Sequence, residues 1–328
     1  MSAALALTRS NPFVSLQDAG RSGAMRYGVS QSGPMDWVRY RLALTLAGAE
    51  RAAFEIGLAG ARFKASGTVQ LGIAGPGFFA KIVGGDTVPL PARLTLGDGE
   101  ELDIAPGREG MWAYLAAKGL DTGEPVLGSF ATNARTGLGR RSFDAPFPCD
   151  DVKPLQPQRF TDPGALDGPI SILPGPQHHL FVEEERERFV SQPFRLTEQL
   201  DRMGYKLACD PIHAITHDII SDGIVEGSIQ VPGNGQPIIL CADRQPTGGY
   251  PKIGVVAAAS RPALTQRRPG AEVRFRWVDA EAAAKARHAL AEAAANPKPR
   301  RLGQISGETL MSVKLIGGVW ADGTIAAE

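Results

Sequence analysis

Apolar residues along this chain fall in short β-branched or alternating runs, broken at intervals of roughly ten residues by Gly or Pro. On that pattern Val69–Ala74, Leu90–Leu96, Gly99–Ile104, Trp112–Ala116, Ile170–Leu173, Ile219–Val225, Gln236–Cys241 and Glu272–Val278 are predicted strands. Many short strands separated by turns predict sandwiches or barrels rather than a doubly wound sheet. Three segments carry helical spacing instead. Asp36 caps the first, Val38, Leu42 and Leu46 form its apolar stripe, and Gly48 ends it after Ala47. The second spans Gln177–Val190, with the charge run Glu183–Arg188 as a solvated face. The third, Ala280–Ala295, is Ala-rich, capped by Asp279, with Glu281 and Lys285 one turn apart and Pro297 beyond its end.

The expected class is mainly β with a few helices, in two β-rich domains. Residues 1–150 form the first, the Pro-rich segment 151–169 is the linker, and 170–328 form the second. After the basic break Asn296–Arg301, Leu310–Val319 regains apolar character and is expected to pack back as a strand or short helix.

Charge adds only exclusions. The 35 Lys and Arg balance the 35 Asp and Glu, so nothing draws the whole chain to nucleic acid or anionic lipid. An anionic ligand must be held by a local cluster. The three cysteines, Cys149, Cys209 and Cys241, form no CxxC pair. With no secretory pattern in Met1–Ser10 and no apolar run near the ~20 residues that span a bilayer, a cytoplasmic location is expected.

Common catalytic motifs are absent: neither GxxxxGK[ST] nor GxSxG occurs. His213 and His217 lack a neighbouring Glu at zincin spacing, and adjacent His178 and His179 point apart on a regular element, so no metal is expected. The densest chemistry is Ala242–Gly254, ADRQPTGGYPKIG, after the apolar run Pro237–Cys241. Arg244 and Lys252, with exposed backbone at Gly248 and Gly249, suit a carboxylate, acyl phosphate or carboxylated cofactor. The plainer alternative is a turn in which Asp243 and Arg244 pair with each other or with backbone. Arg202, in DRMGYKL, has a similar structural alternative, an Asp–Arg pair. In Gln17–Asp36 a Gly-rich loop enters the first helix, but the Asp36 carboxylate already occupies the helix N-terminus. Domain packing or contact between subunits therefore suits that segment better than an anion.

VSLQDAGRSG (14–23), GVSQSGPMD (28–36), LGSFATNARTGLGR (127–140), LPGPQ (173–177), DRMGYKL (201–207) and SDGIVEGSIQVPGNGQPIILCADRQPTGGYPKIG (221–254) occur in this order, with a weaker SVKLIGG (312–318). They resemble the biotin-dependent carboxyltransferase family, which includes the C-type subunit of bacterial 5-oxoprolinase, allophanate hydrolase subunit 2 type proteins and the carboxyltransferase part of urea carboxylase. The resemblance implies a cyclophilin-like β-barrel in the C-terminal half. It implies a B-type partner of related fold and an A-type subunit, together opening 5-oxoproline to glutamate, with ATP used at the level of the complex. Its alternatives are a urea-type carboxyltransferase subunit using biotin on a partner protein, and a regulatory antagonist of a histidine-kinase inhibitor. A separate chain without a biotin carboxylase region or a biotin-acceptor Lys favours the first. The expected site has Lys252, Arg244 and Asp243 as catalytic residues, Lys252 at an exposed turn. Gln230, Gly248, Gly249, Tyr250 and Arg202 are expected to bind a small carboxylate or amide. Three positions depart from the family pattern: Asp222 where Glu is usual, Pro246 where Thr is common, and Phe130 where Arg is usual.

Overall fold

The structure, a computed structural model, describes residues 3–139 and 143–300. Its first half stacks two six-stranded sheets. One runs in the order Phe147–Cys149, Ala3–Arg9, Ala61–Ser66, Glu101–Pro106, Phe78–Ile82, Thr87–Pro89. The other runs Gln158–Arg159, Ala92–Leu96, Val69–Ala74, Ala113–Ala117, Ala53–Ile56, Val14–Gln17. Period-two alternation builds the core between them: Ala61, Phe63 and Ala65 are buried while Lys64 and Ser66 are exposed. Leu5, Leu16, Phe54, Leu71, Ile73, Leu94, Ile104 and Leu115 complete that layer. Each such buried side chain contributes roughly 1.5–3 kcal/mol of transfer free energy.

The strand Ala113–Ala117 is buried on both faces. Its Tyr114 and Ala116 lie in a second core beneath helix α1, Trp37–Ala47. Asp36 caps α1 by accepting from the Val38 and Arg39 amides, and Gly48 ends it with φ 64°. Gly72, under the helix, permits close approach: a Cβ there would sit 2.2 Å from the Ala43 carbonyl oxygen and 2.4 Å from the Ala47 nitrogen.

The second half is one eight-stranded sheet in the order Glu272–Val273, Phe194–Leu200, Gly204–Ala208, Ile238–Leu240, Ser228–Gln230, Lys252–Val256, Ile170–Pro174, Phe275–Trp277. Its two edge strands are nearly continuous in sequence, so the sheet curls into an almost closed barrel, the β-rich class expected. Helix α2, Glu183–Ser191, buries Phe189, which stacks on Phe275 with ring centroids 4.9 Å apart. Helix α3, Arg261–Thr265, is short; helix α4, Ala280–Ala295, returns from the barrel and lies against α1.

Several expectations shift in detail. The helix placed at Gln177–Val190 divides into a 3-10 turn, His178–Leu180, and α2. Of the strand Ile219–Val225 only Asp222–Gly223 pairs, with Thr247–Gly248. Glu272–Val278 divides into two strands at opposite edges of the barrel sheet. The Pro-rich segment 151–169 contributes Gln158–Arg159 to the sandwich and buries Phe160. The apolar tail and SVKLIGG lie outside the described residues.

Candidate functional site

Strands Ser228–Gln230 and Lys252–Val256 are neighbours, and Gln230 stands opposite Lys252 in their register. Cross-strand partners share a face, so both side chains enter one site. Lys252 is 1% exposed and Gln230 2% exposed. This corrects the expectation of an exposed Lys252: its strand neighbours and Gln177 close over it. The Lys252 ammonium lies 3.1 Å from Asp222 Oδ2, an ion-pair distance, but off the line of a hydrogen bond. Gln230 Nε2 has no partner among the described residues. Gln177 spans the site, its Nε2 donating to Asp222 Oδ2 at 3.1 Å and its Oε1 accepting from the Lys252 amide at 3.3 Å. Asp222 is the half-open member, its side chain 46% exposed. The Gln177 side chain, then Lys252 and the Gly223 amide, hold its carboxyl below the ordinary carboxylate range. Gly248 keeps the floor clear: a Cβ there would lie 2.6 Å from Gln230 Nε2 and 2.7 Å from Ile224 Cδ1. The Gly249 carbonyl accepts from the Ile219 amide at 2.9 Å, and Tyr250 is exposed beside it.

A buried donor without an acceptor costs about 1–3 kcal/mol. Gln230 Nε2 is such a donor, and Lys252 opposite it has only the half-exposed Asp222; the pair suits an oxygen acceptor, either carboxylate or amide carbonyl.

Asp243, Arg202 and Arg244 have other neighbours. Both Asp243 oxygens are taken by Arg202, at 2.9 Å from Nε and 3.0 Å from Nη2. Arg202 also bonds Glu55 Oε1 and donates to the Gly33 carbonyl at 2.8 Å. Glu55 Oε2 in turn accepts from the Tyr114 hydroxyl at 2.7 Å and the Met35 amide at 2.8 Å. Burial works against the Arg202 charge, but Glu55 and Asp243 outweigh it and hold its pKa above the ordinary value. The Asp–Arg pair considered for this region therefore exists with Asp243, as a bolt between sandwich and barrel. An open cavity of about 870 Å³ borders it, walled by Phe13, Leu58, Trp112 and Met203 with Arg135 and Arg202. Arg244 donates to the Ile224 and Cys241 carbonyls at 3.2 and 3.3 Å and meets Gln31 and Met25 of the Gly-rich segment.

That segment does pack between halves: Ser30 Oγ donates to the Arg244 carbonyl at 2.7 Å. Glu55 and Tyr114 escaped the sequence reading, although each is a polar residue inside an apolar strand, AFEI and AYLAA. Among the departures, Asp222 is part of the Lys252 cluster, the Pro246 carbonyl accepts from the Ile224 amide at 2.9 Å, and Phe130 packs on the sandwich core. The His213 amide donates to Glu185, and His217 Nδ1 is buried without a partner among the described residues. Among the described residues no group of three His, Cys, Asp or Glu could hold a metal, and no helix is long and apolar enough to cross a membrane.

A sandwich joined to a nearly closed barrel is the fold this chain shares with a urea carboxylase structure. The family described as carboxyltransferase domain, subdomain A and B, matches residues 27–277, and the chain belongs to it. It is 31% identical to the C-type subunit of 5-oxoprolinase from Escherichia coli (strain K12) over 297 residues, covering 86% of this chain and 94% of that one. The crystal structure of TTHA0988 superposes with a TM-score of 0.75 at 29% identity, over 84% of this chain and 56% of that one, so this chain spans just over half its length. The K. lactis urea amidolyase structure gives a TM-score of 0.79 at 23% identity over 89% of this chain and 20% of that one, a likeness of fold.

Proposed function

We propose that this chain is the C-type subunit of an ATP-dependent 5-oxoprolinase, acting with B- and A-type subunits to open 5-oxoproline to glutamate. The observation that carries the reading is the buried pair on adjacent strands: Gln230 Nε2 with no acceptor among the described residues, and Lys252 Nζ held only by the half-exposed Asp222. 5-Oxoproline offers a carboxylate and a lactam carbonyl, and both are acceptors of the kind this pair takes. Lys252 supplies fixed positive charge to oxygen that becomes more negative as the amide is attacked. Gln230 orients that oxygen, Gly248 gives it room, and Asp222 is displaced from Lys252 as the ligand enters. Asp243 and Arg202 act as positioning residues that fix the barrel against the sandwich. ATP is used at the level of the complex, in keeping with the lack of a GxxxxGK[ST] loop here. Near-complete coverage of a 5-oxoprolinase C-type relative at 31% identity supports this assignment.

The family description favours a second reading, a carboxyltransferase subunit of a urea-type carboxylase. Carboxybiotin on a partner protein would supply a transferable carboxyl group, and Lys252 and Gln230 suit its oxygens equally well. Co-expression with B- and A-type subunits, followed by measurement of ATP-dependent 5-oxoproline turnover, tests the first reading. Turnover is expected from the complex, insensitive to avidin, and negligible from the isolated chain. Avidin-sensitive carboxyl transfer with no 5-oxoproline turnover would establish the second reading instead.

A further inference from the structure

Away from the Lys252 cluster, the structure keeps two guanidinium groups buried without a carboxylate of their own. Arg21 is 1% exposed; its Nε donates to the Val126 carbonyl at 3.2 Å, its Nη2 to the Ala131 carbonyl, and its Nη1 to nothing among the described residues. Arg244 is 3% exposed and its Nη2 has only long contacts, 3.5 Å to Gln31 Oε1 and 3.8 Å to Met25 Sδ. Gln31 and Met25 line an open cavity of about 430 Å³ together with Arg21, Ser22, Gly23 and Arg26. Arg26, at the exposed rim, stacks over Tyr27 with its guanidinium carbon 4.8 Å from the ring centroid.

The nearby carboxylates are engaged elsewhere. Asp18 accepts from the Gly20 amide, Ser129 and the Phe130 amide; Asp243 accepts from Arg202; Glu226 pairs with Arg261. Burial accordingly lowers the pKa of both Arg21 and Arg244, with those carboxylates only partly opposing it. A buried cation is tolerated when something pairs with it, and among the described residues no carboxylate lines this cavity.

We propose that the cavity bounded by Arg21, Arg26 and Gln31, with Arg244 behind Gln31 and Met25, binds the phosphate group of a small molecule. Two guanidinium groups, Arg21 and Arg26, line the cavity and a third, Arg244, reaches it only through Gln31 and Met25; so much positive charge with no lining carboxylate suits a dianion with several acceptor oxygens better than a singly charged carboxylate. The site depends on no step at Lys252, so it stands or falls separately from the 5-oxoprolinase reading.

The test uses the full chain and inorganic phosphate, with acetate and chloride at matched ionic strength. Phosphate is expected to raise the melting temperature by mass action, well beyond acetate or chloride, and to give a saturable heat of binding. Arg26→Gln, at the rim, is expected to weaken phosphate about tenfold, the loss of one charge-assisted hydrogen bond, without lowering the melting temperature. Gln31→Glu would place a carboxylate against Arg244; it is expected to raise the melting temperature without phosphate and to abolish the phosphate response. Arg21 is left intact because it also ties Val126 and Ala131. A phosphate effect no larger than that of acetate or chloride would overturn the proposal, as would an undiminished response in Gln31→Glu or in Arg26→Gln.

Discussion

Lys252 sits in a position that favours chemistry over stability. Its ammonium is desolvated beside a single, poorly aligned carboxylate, so Met, of similar length and without charge, should fit at no cost in stability or with a gain. Lys252→Met is expected to keep or raise the melting temperature while lowering turnover of the assembled complex about 10²-fold or more. Near-normal turnover with a lowered melting temperature would make Lys252 a structural residue. Asp222 gives a pH handle on the same site. Its folded pKa is depressed, so its contribution to stability is fully present above the ordinary carboxylate range and is lost as pH falls through the depressed value. In Lys252→Met that titration, followed by NMR, is expected to move back up toward the ordinary range; an unmoved titration would mean that Gln177 and the Gly223 amide hold Asp222 without Lys252.

At the scale of elements, the tightest junction is α1 on the strand Val69–Ala74. A methyl group at Gly72 would meet helix backbone, which cannot swing aside as a side chain would. Gly72→Ala is therefore expected to cost on the order of 3 kcal/mol, measured by urea unfolding, whereas Gly99→Ala, at a turn with open space but φ 77°, pays only for backbone strain. Elements whose ends are set locally were legible in the sequence. Asp36 and Gly48 bound α1 and Asp279 caps α4 because a cap needs only its own first or last turn. The Ile219–Val225 run was not legible as mostly unpaired chain, because pairing depends on a partner that reaches only Asp222 and Gly223. The same limit applied to the site. Gln230 does stand opposite Lys252, and Gly248 of ADRQPTGGYPKIG lies against Gln230. But which neighbours Arg244, Asp243 and Lys252 each take is decided by Gln31, Arg202 and Asp222, far away or across a strand.

Across the whole molecule, the Tyr114–Glu55–Arg202–Asp243 chain of hydrogen bonds joins sandwich to barrel through groups that are mostly buried. Removing Arg202 leaves two carboxylates without their shared cation. Arg202→Ala is expected to cost about 3–5 kcal/mol and to change the urea unfolding curve of the whole chain, not of one half. A variant that unfolds normally would show that sandwich and barrel are held mainly by apolar contact. The return of α4 onto α1 has a consequence in time. The two helices are separated by roughly 230 residues, which a ribosome adds at ~5–20 residues per second, so α1 waits on the order of ten to fifty seconds for its partner helix. During synthesis the sandwich half therefore stands for that interval with α1 packed only on its own sheet, without the α4 contact.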